Sequence, residues 1–210
     1  MGYHPASLTL PFLALNLKRN PFGELTRAER AQLACVPALA IAEGEVVQVL
    51  GAAGRGKTTH LLAWHAAHPG AHYEYLAEGQ SELTTPAPSD PFFLDEAQRL
   101  NSRSLRHLFD SVPRLVLATH SDLSPLTRRR VRSIELRGLD ARRLGQIVER
   151  RIESSRRHAG PVPTLSAETL ERLIEDHGDD VRSIEARLYD AFQRQAEVGN
   201  VEVSALDHAR

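Results

Sequence analysis

A β-prone run, Glu45-Val46-Val47-Gln48-Val49-Leu50, empties into Gly51-Ala52-Ala53-Gly54-Arg55-Gly56-Lys57-Thr58-Thr59, and then into the helix-prone His60-Leu61-Leu62-Ala63-Trp64-His65. Strand before, glycine-spaced loop, helix after: this is the phosphate-binding-loop pattern in the context it requires. Glycines at the first and sixth positions let backbone N–H groups turn inward around phosphate oxygens, and the helix N-terminus adds a positive dipole. Lys57 is expected to reach the β and γ phosphates and Thr58 to ligate Mg2+. The bland rival is a glycine-rich turn that merely starts a helix. Composition argues against it: of 26 Lys and Arg residues only Lys18 and Lys57 are lysine. The compact ammonium therefore stands where a broad, planar guanidinium would displace the phosphates.

The rest of the chain supplies the layers for such a loop. Strands are expected at 45–50, 72–77, 91–95, 114–119 and 133–137, with helices at 57–67 and 97–110 and a short one near 123–130. Strands alternating with helices argue an α/β fold, a P-loop NTPase parallel sheet of about five strands. Before it, Thr26 and Glu29 form a capping-box pattern for a helix over 27–35. Residues 1–22 mix Leu and Phe with Pro5, Pro11 and Pro21, and read as an extended arm packed on the domain. After Gly138 the strands are expected to stop, and helices at 140–158, 166–176 and 180–196 form a C-terminal helical lid. The expected division is 1–42 for the arm and short helices packed on the core, 43–138 for the nucleotide-binding αβ domain, and 139–210 for the lid.

A net charge of −1 gives no global nucleic-acid signature. The charge is uneven, however: residues 128–157 hold 11 Arg against 4 acidic residues, whereas 161–210 hold 5 Arg against 11. Such asymmetry hints at a basic face. Cys35 is the single cysteine, which excludes an intramolecular disulfide and fits a reducing compartment. No apolar run reaches membrane-spanning length, and the N-terminus lacks a charged start followed by a signal-type core. A soluble cytoplasmic protein without a membrane contact is the expectation.

Pro91-Phe92-Phe93-Leu94-Asp95-Glu96 is an apolar strand ending in two carboxylates. Asp95 can hold Mg2+ through water, and Glu96 can polarise the water that attacks the γ phosphate. The alternative is an ordinary strand end followed by an acidic helix start. Arg114 to His120 is another apolar strand with a polar end. Since strand C-termini of a parallel sheet line one ligand-binding edge, Thr119 or His120 can touch the attacking water or the γ phosphate, and the register between them stays open.

These motifs together resemble the AAA+ ATPases over roughly residues 43–195. Asp95-Glu96-Ala97-Gln98-Arg99-Leu100 resembles the Walker B segment of members that assist transposition and secretion, and the strand ending in Thr119-His120 resembles sensor 1. Pro125-Leu126-Thr127-Arg128-Arg129-Arg130 is similar to the arginine-finger segment of clamp loaders; Arg129 aligns best, with Arg128 and Arg130 close behind. The resemblance implies that this arginine enters a neighbouring subunit's site, and so implies a homo-oligomer. Gly178-Asp179-Asp180-Val181-Arg182 is similar to the sensor 2 segment of replication initiators and clamp loaders, which implies that Arg182 meets the γ phosphate. ATP and Mg2+ are the implied cofactors, and a partner protein or DNA the implied object of the conformational change.

Departures stand beside the matches. Glu78-Gly79-Gln80-Ser81-Glu82 lacks the aromatic pore-loop grip of family unfoldases, the crossover after the second strand is truncated, and the Gly178 to Arg182 spacing is one residue longer than in clamp loaders. Within the lid, Leu144, Ile147, Val148 and Ile152 make an apolar stripe at helical spacing. Arg143, Arg150 and Arg157 line another stripe that can meet DNA phosphates, although a solvated face is the more usual role. Arg151 projects onto the apolar stripe and is expected to snorkel at its edge. A P-loop small-molecule kinase and a non-hydrolysing, ATP-dependent switch or adaptor are the rival functions.

Overall fold

Phe92-Phe93-Leu94-Asp95 and Leu115-Val116-Leu117-Ala118-Thr119 are buried at every position. Strands this uniformly apolar belong inside a parallel sheet covered on both faces, and the computed structural model, which describes residues 12–207, has that arrangement. The chain divides into two units. The αβ unit comprises residues 25–138 with 179–181; the helical unit comprises 12–24, 139–178 and 182–207.

In the αβ unit, β1 (Val46–Leu50), β2 (His72–Tyr75), β3 (Phe92–Asp95), β4 (Leu115–Thr119) and β5 (Val131–Glu135) form one sheet in the order β2-β3-β4-β1-β5, with every pairing parallel. Successive side chains go to opposite faces. On one face Val46, Phe92, Leu94, Leu115 and Leu117 pack with Leu105, Leu108 and Phe109 of α3 (Ser102–Ser111). On the other, Val47, Val49, Phe93, Val116 and Ala118 pack with Leu61 and Trp64 of α2 (Lys57–Ala66). Helix α1 (Arg27–Leu33) packs against α2 and carries the expected capping box between Thr26 and Glu29.

Three expected elements differ. The helix expected over 97–110 is a 3-10 turn, Ala97–Arg99, followed by α3. Asn101 separates them, because its side chain accepts from the Ser104 N–H and so starts α3 afresh. The helix expected near 123–130 is a single 3-10 turn, Ser124–Leu126, and β5 begins at Val131, where it already pairs with Val46. Strand β2 ends at Tyr75, short of residue 77.

The helical unit contains α4 (Ala141–Ser155), α5 (Ala167–His177), α6 (Val181–Arg194, from Arg182 on) and α7 (Val203–Asp207). Its core joins Leu144, Val148 and Ile152 of α4 to Leu173 of α5 and to Ile184, Leu188 and Phe192 of α6. Strands do not stop after Gly138: β6 (Thr164–Leu165) and β7 (Asn200–Val201) form a short parallel pair. The N-terminal arm, read from the sequence as packed on the nucleotide-binding core, belongs here over residues 12–24; its first 11 residues, with Pro5 and Pro11, lie outside the described residues. Leu15, Leu17 and Phe22 are buried in the helical core, and the Phe22 and Phe192 rings meet edge to face at 5.1 Å. Lys18 N–H donates to Ser155 O at 2.8 Å and the Asn20 amide to Tyr189 O at 2.9 Å, so the segment is tied by backbone as well as by apolar contact.

Two lid arginines depart from expectation. Arg151 does not snorkel: it is buried, donates to Gly23 O, lies 3.7 Å from Glu185 and sits over the Phe22 ring. Helix α4 ends at Ser155, so Arg157 falls beyond it, and the three-arginine stripe does not continue along one helix. Among the described residues no helix is long and apolar enough to cross a membrane.

Candidate active site

The loop after β1 turns through left-handed backbone at Gly54 (φ 80°) and Gly56 (φ 82°), where glycine carries no Cβ penalty. Gly54 is needed for space as well: a Cβ there would come within 1.9 Å of Asp180 Oδ1. Gly56 caps α2 without a side-chain hydrogen bond, leaving the first-turn N–H groups facing the loop. Arg55 pairs with Asp179 at 3.0 Å and donates to Leu136 O, while Asp179 also accepts from the Gly138 N–H. The residues just before Arg182 are thus part of the phosphate-loop wall, and Arg182 itself lies in the first turn of α6, where its chain enters the helical unit.

Lys57 is buried, and its Nζ donates to Gly51 O at 2.9 Å and Ala52 O at 3.0 Å. It also lies 3.3 Å from His120 Nε2. Thr58 hydrogen-bonds Asp95, the last residue of β3, which is fully buried. Asp95 Oδ1 accepts from the Glu96 N–H and Oδ2 from the Tyr73 hydroxyl, both at 3.0 Å. Burial pushes the Asp95 carboxyl above its ordinary range; the bonds from Thr58 and Tyr73 pull the other way, and Glu96 adds to the rise. Burial, with Asp95 beside it, likewise drives the Tyr73 phenol well up.

Glu96 is one of two described non-glycine residues with positive φ, at 60°, a conformation that costs energy and turns its side chain off the strand direction. Its Oε2 accepts from the Gln98 amide at 2.7 Å and lies 3.4 Å from Arg99 Nη2 and 3.6 Å from His120 Nε2. Gln98 in turn accepts from the His120 N–H. His120 therefore stands between Lys57 and Glu96. Thr119 does not join them: it is fully buried, and its hydroxyl closes a local turn with Ser121. Of the two residues at the end of β4, His120 is the one whose side chain lies beside Lys57 and Glu96.

Arg129 is taken up elsewhere. Its guanidinium donates to the carbonyls of Gly44, Glu45, Phe109, Val112 and Pro113, so it caps the C-terminal end of α3 and joins it to the start of β1. Burial lowers its pKa, with Asp90 and Asp110 opposing, but a guanidinium stays charged. Arg132 pairs with Glu45, whereas Arg128 and Arg130 are exposed. The alignment that favoured Arg129 as a finger picks the one of the three that is enclosed by backbone.

Sequence reasoning missed Tyr73, Gln98 and Asp180. Gln98 is two residues from Glu96 and had a local signal; Tyr73 and Asp180 reach the site only through strand neighbours and chain return.

No family model and no curated protein sequence matches the chain. Solved structures do. A RuvB mutant from Thermotoga maritima superposes with a TM-score of 0.52 at 16% identity, over 77% of this chain and 60% of that one. Domain III of the Thermotoga maritima replication initiation protein DnaA gives the same TM-score and identity, over 77% of this chain and 81% of that one. The chain spans less than two thirds of the RuvB chain, and at this identity the likeness bears on fold alone. The chain shares the fold of these two solved structures, here a five-stranded parallel sheet with helices on both faces followed by a helical unit.

Proposed function

We propose that this protein binds ATP with Mg2+ and hydrolyses it, as a homo-oligomer whose nucleotide-dependent change of conformation acts on a partner protein or on DNA. The observation that carries the reading is the convergence of Lys57, His120 and Glu96 beside the hydrogen-bonded Thr58 and Asp95. The Thr58 hydroxyl and the Asp95 carboxylate are hard oxygen donors of the kind Mg2+ takes, and among the described residues no group of three His, Cys, Asp or Glu could hold a metal. Mg2+ commonly takes one or two protein oxygens and completes its shell with water and substrate phosphates. When bound, Mg2+ neutralises charge on the β and γ phosphate oxygens.

The protein's own groups do the rest. The loop N–H groups and the N-terminus of α2 hold the polyphosphate, and Lys57 leaves its loop carbonyls to meet the β and γ oxygens. Glu96 orients a water in line with the γ phosphorus; its oxygen bonds to phosphorus as the bond to the ADP oxygen breaks, and its proton passes towards the carboxylate. His120, within reach of Lys57 and Glu96, senses the γ phosphate. Arg182 and a neighbouring copy's Arg128 or Arg130 supply further positive charge. Action on DNA rests on analogy with a neighbour described as a replication initiation protein.

The test is ATP hydrolysis per subunit across a wide range of protein concentration, with Lys57→Ala as the blank. A specific rate that climbs with concentration supports a site completed by neighbours. A measurable flat rate leaves a cis mechanism or a preassembled oligomer, and a rate no higher than the blank favours the kinase or silent-switch reading.

A further inference from the structure

Asp95, the last residue of β3, is fully buried, and the donors on it are unequal in origin. The Glu96 N–H and the Thr58 hydroxyl belong to the motif segments themselves; the third donor, Tyr73, comes from the neighbouring strand β2. In the β2–β3 register Tyr73 lies opposite Phe93 and Tyr75 opposite Asp95, so the Tyr73 side chain runs along the α2 face of the sheet to reach Oδ2 at 3.0 Å. The ring is itself held: the Arg27 guanidinium lies over it at 5.4 Å and the His65 ring stands 5.7 Å away. It forms part of the wall of a surface cleft of about 680 Å3 bounded by α1, α2 and residues 84–86.

A carboxylate's terminal torsion is broad and nearly two-fold, so one tether leaves it free to rotate. With Oδ1 fixed by the Glu96 N–H and Oδ2 by Tyr73, the plane of the Asp95 carboxylate is set. Partners that orient a ligating carboxylate commonly change metal affinity by about 10- to 100-fold when removed.

We infer that Tyr73 is a positioning residue for the metal-facing carboxylate Asp95, anchoring it from the adjacent strand and thereby setting how strongly Mg2+ supports nucleotide binding. The inference rests on the MgATP reading above and adds a residue to it that acts through Asp95 and touches neither metal nor nucleotide. It also accounts for the cage around the ring: Arg27 and His65 hold a phenol whose oxygen has one place to go.

The experiment is ATP binding by calorimetry to the full chain and to Tyr73→Phe, titrated with Mg2+ and repeated in EDTA, with melting temperatures in EDTA as the folding control. Phenylalanine keeps the ring in its cage and removes only the hydroxyl. The expected result is a half-saturating Mg2+ concentration about tenfold higher in the variant, with ATP affinity in EDTA within about twofold of the parent. An unchanged Mg2+ requirement overturns the role of Tyr73 while leaving the MgATP reading intact. An equal loss with and without Mg2+ overturns it too, since Tyr73 would then only shape the pocket. A parent whose ATP binding ignores Mg2+ removes the MgATP reading itself, and this inference with it.

Discussion

The two units bury polar side chains for different ends. In the helical unit the buried polar groups are Asn20, Arg151, Ser155 and Thr169, and those with described partners tie segments together: Asn20 to Tyr189, Arg151 to Gly23 and Glu185, Thr169 to Val201. In the αβ unit, Asp95 and Thr119 are buried at the ends of β3 and β4 and Lys57 at the start of α2, and Glu45, Gln48 and Glu74 are buried as well. Gln48 bridges Asp122, Ser133 and Leu123, and Glu74 gathers Thr84, Thr85 and Gln80. A buried polar group is costly unless paired, so each must be matched by structure or by a ligand. In the helical unit these groups tie packed segments to one another; at the C-terminal edge of the αβ sheet Lys57 and Asp95 are held by the phosphate loop, the Glu96 N–H and Tyr73, that is, by the segments that form the candidate site.

Arg129 is the sharpest place to break that contrast, because it lies in the αβ unit yet behaves like Arg151. Arg129→Ala would leave several carbonyls at the end of α3 and the start of β1 without a donor, and should cost about 2–3 kcal/mol of unfolding free energy in urea titration. Arg128→Ala and Arg130→Ala should each stay within about 0.5 kcal/mol, as exposed positions do. If Arg129→Ala were as stable as the parent, its guanidinium would be free for a trans role after all.

Much of this was legible in the sequence, and for a definite reason. The phosphate loop, the Asp95-Glu96 strand end and the Thr119-His120 strand end are local patterns, so strand, turn and helix signals within a few residues suffice to find them. The enclosure of Arg129 was not legible because its partners lie as far as 85 residues away, at Gly44, and nothing in a run of arginines tells which one folds inward. The arm illustrates the same limit. Leu15, Leu17 and Phe22 announce an apolar segment in need of a cover, but which core supplies it depends on contacts with α4 and α6, more than 100 residues on. Arg151 on an apolar stripe looked like an edge residue, since neither Gly23 nor Glu185 is near it in sequence. That Thr119 turns its hydroxyl to Ser121, leaving His120 beside Lys57 and Glu96, depends on a local turn that the sequence does not announce.

A smaller effect is expected at Glu74. Burial pushes its carboxyl up, but hydrogen bonds from Thr84 and Thr85 outweigh burial and hold it below its ordinary value. A lowered folded-state pKa contributes stability that is fully present above the unfolded-state value, about 4.3, and is lost as pH falls through the folded value. Stability of the parent should therefore decline on acidification through and below the unfolded-state value, and Glu74→Gln should flatten that decline, measured as urea midpoints between pH 3 and 7. An acid limb of the same slope in the variant would mean that the 80–85 loop is not anchored through this carboxylate.

The most direct test of the αβ edge as a hydrolytic site is ATP turnover and ATP binding measured side by side for the parent and Glu96→Gln. The account predicts that the variant binds MgATP within about threefold of the parent while phosphate release falls by at least about 100-fold, the range expected for loss of a positioned base. Hydrolysis by Glu96→Gln at the parental rate would contradict it.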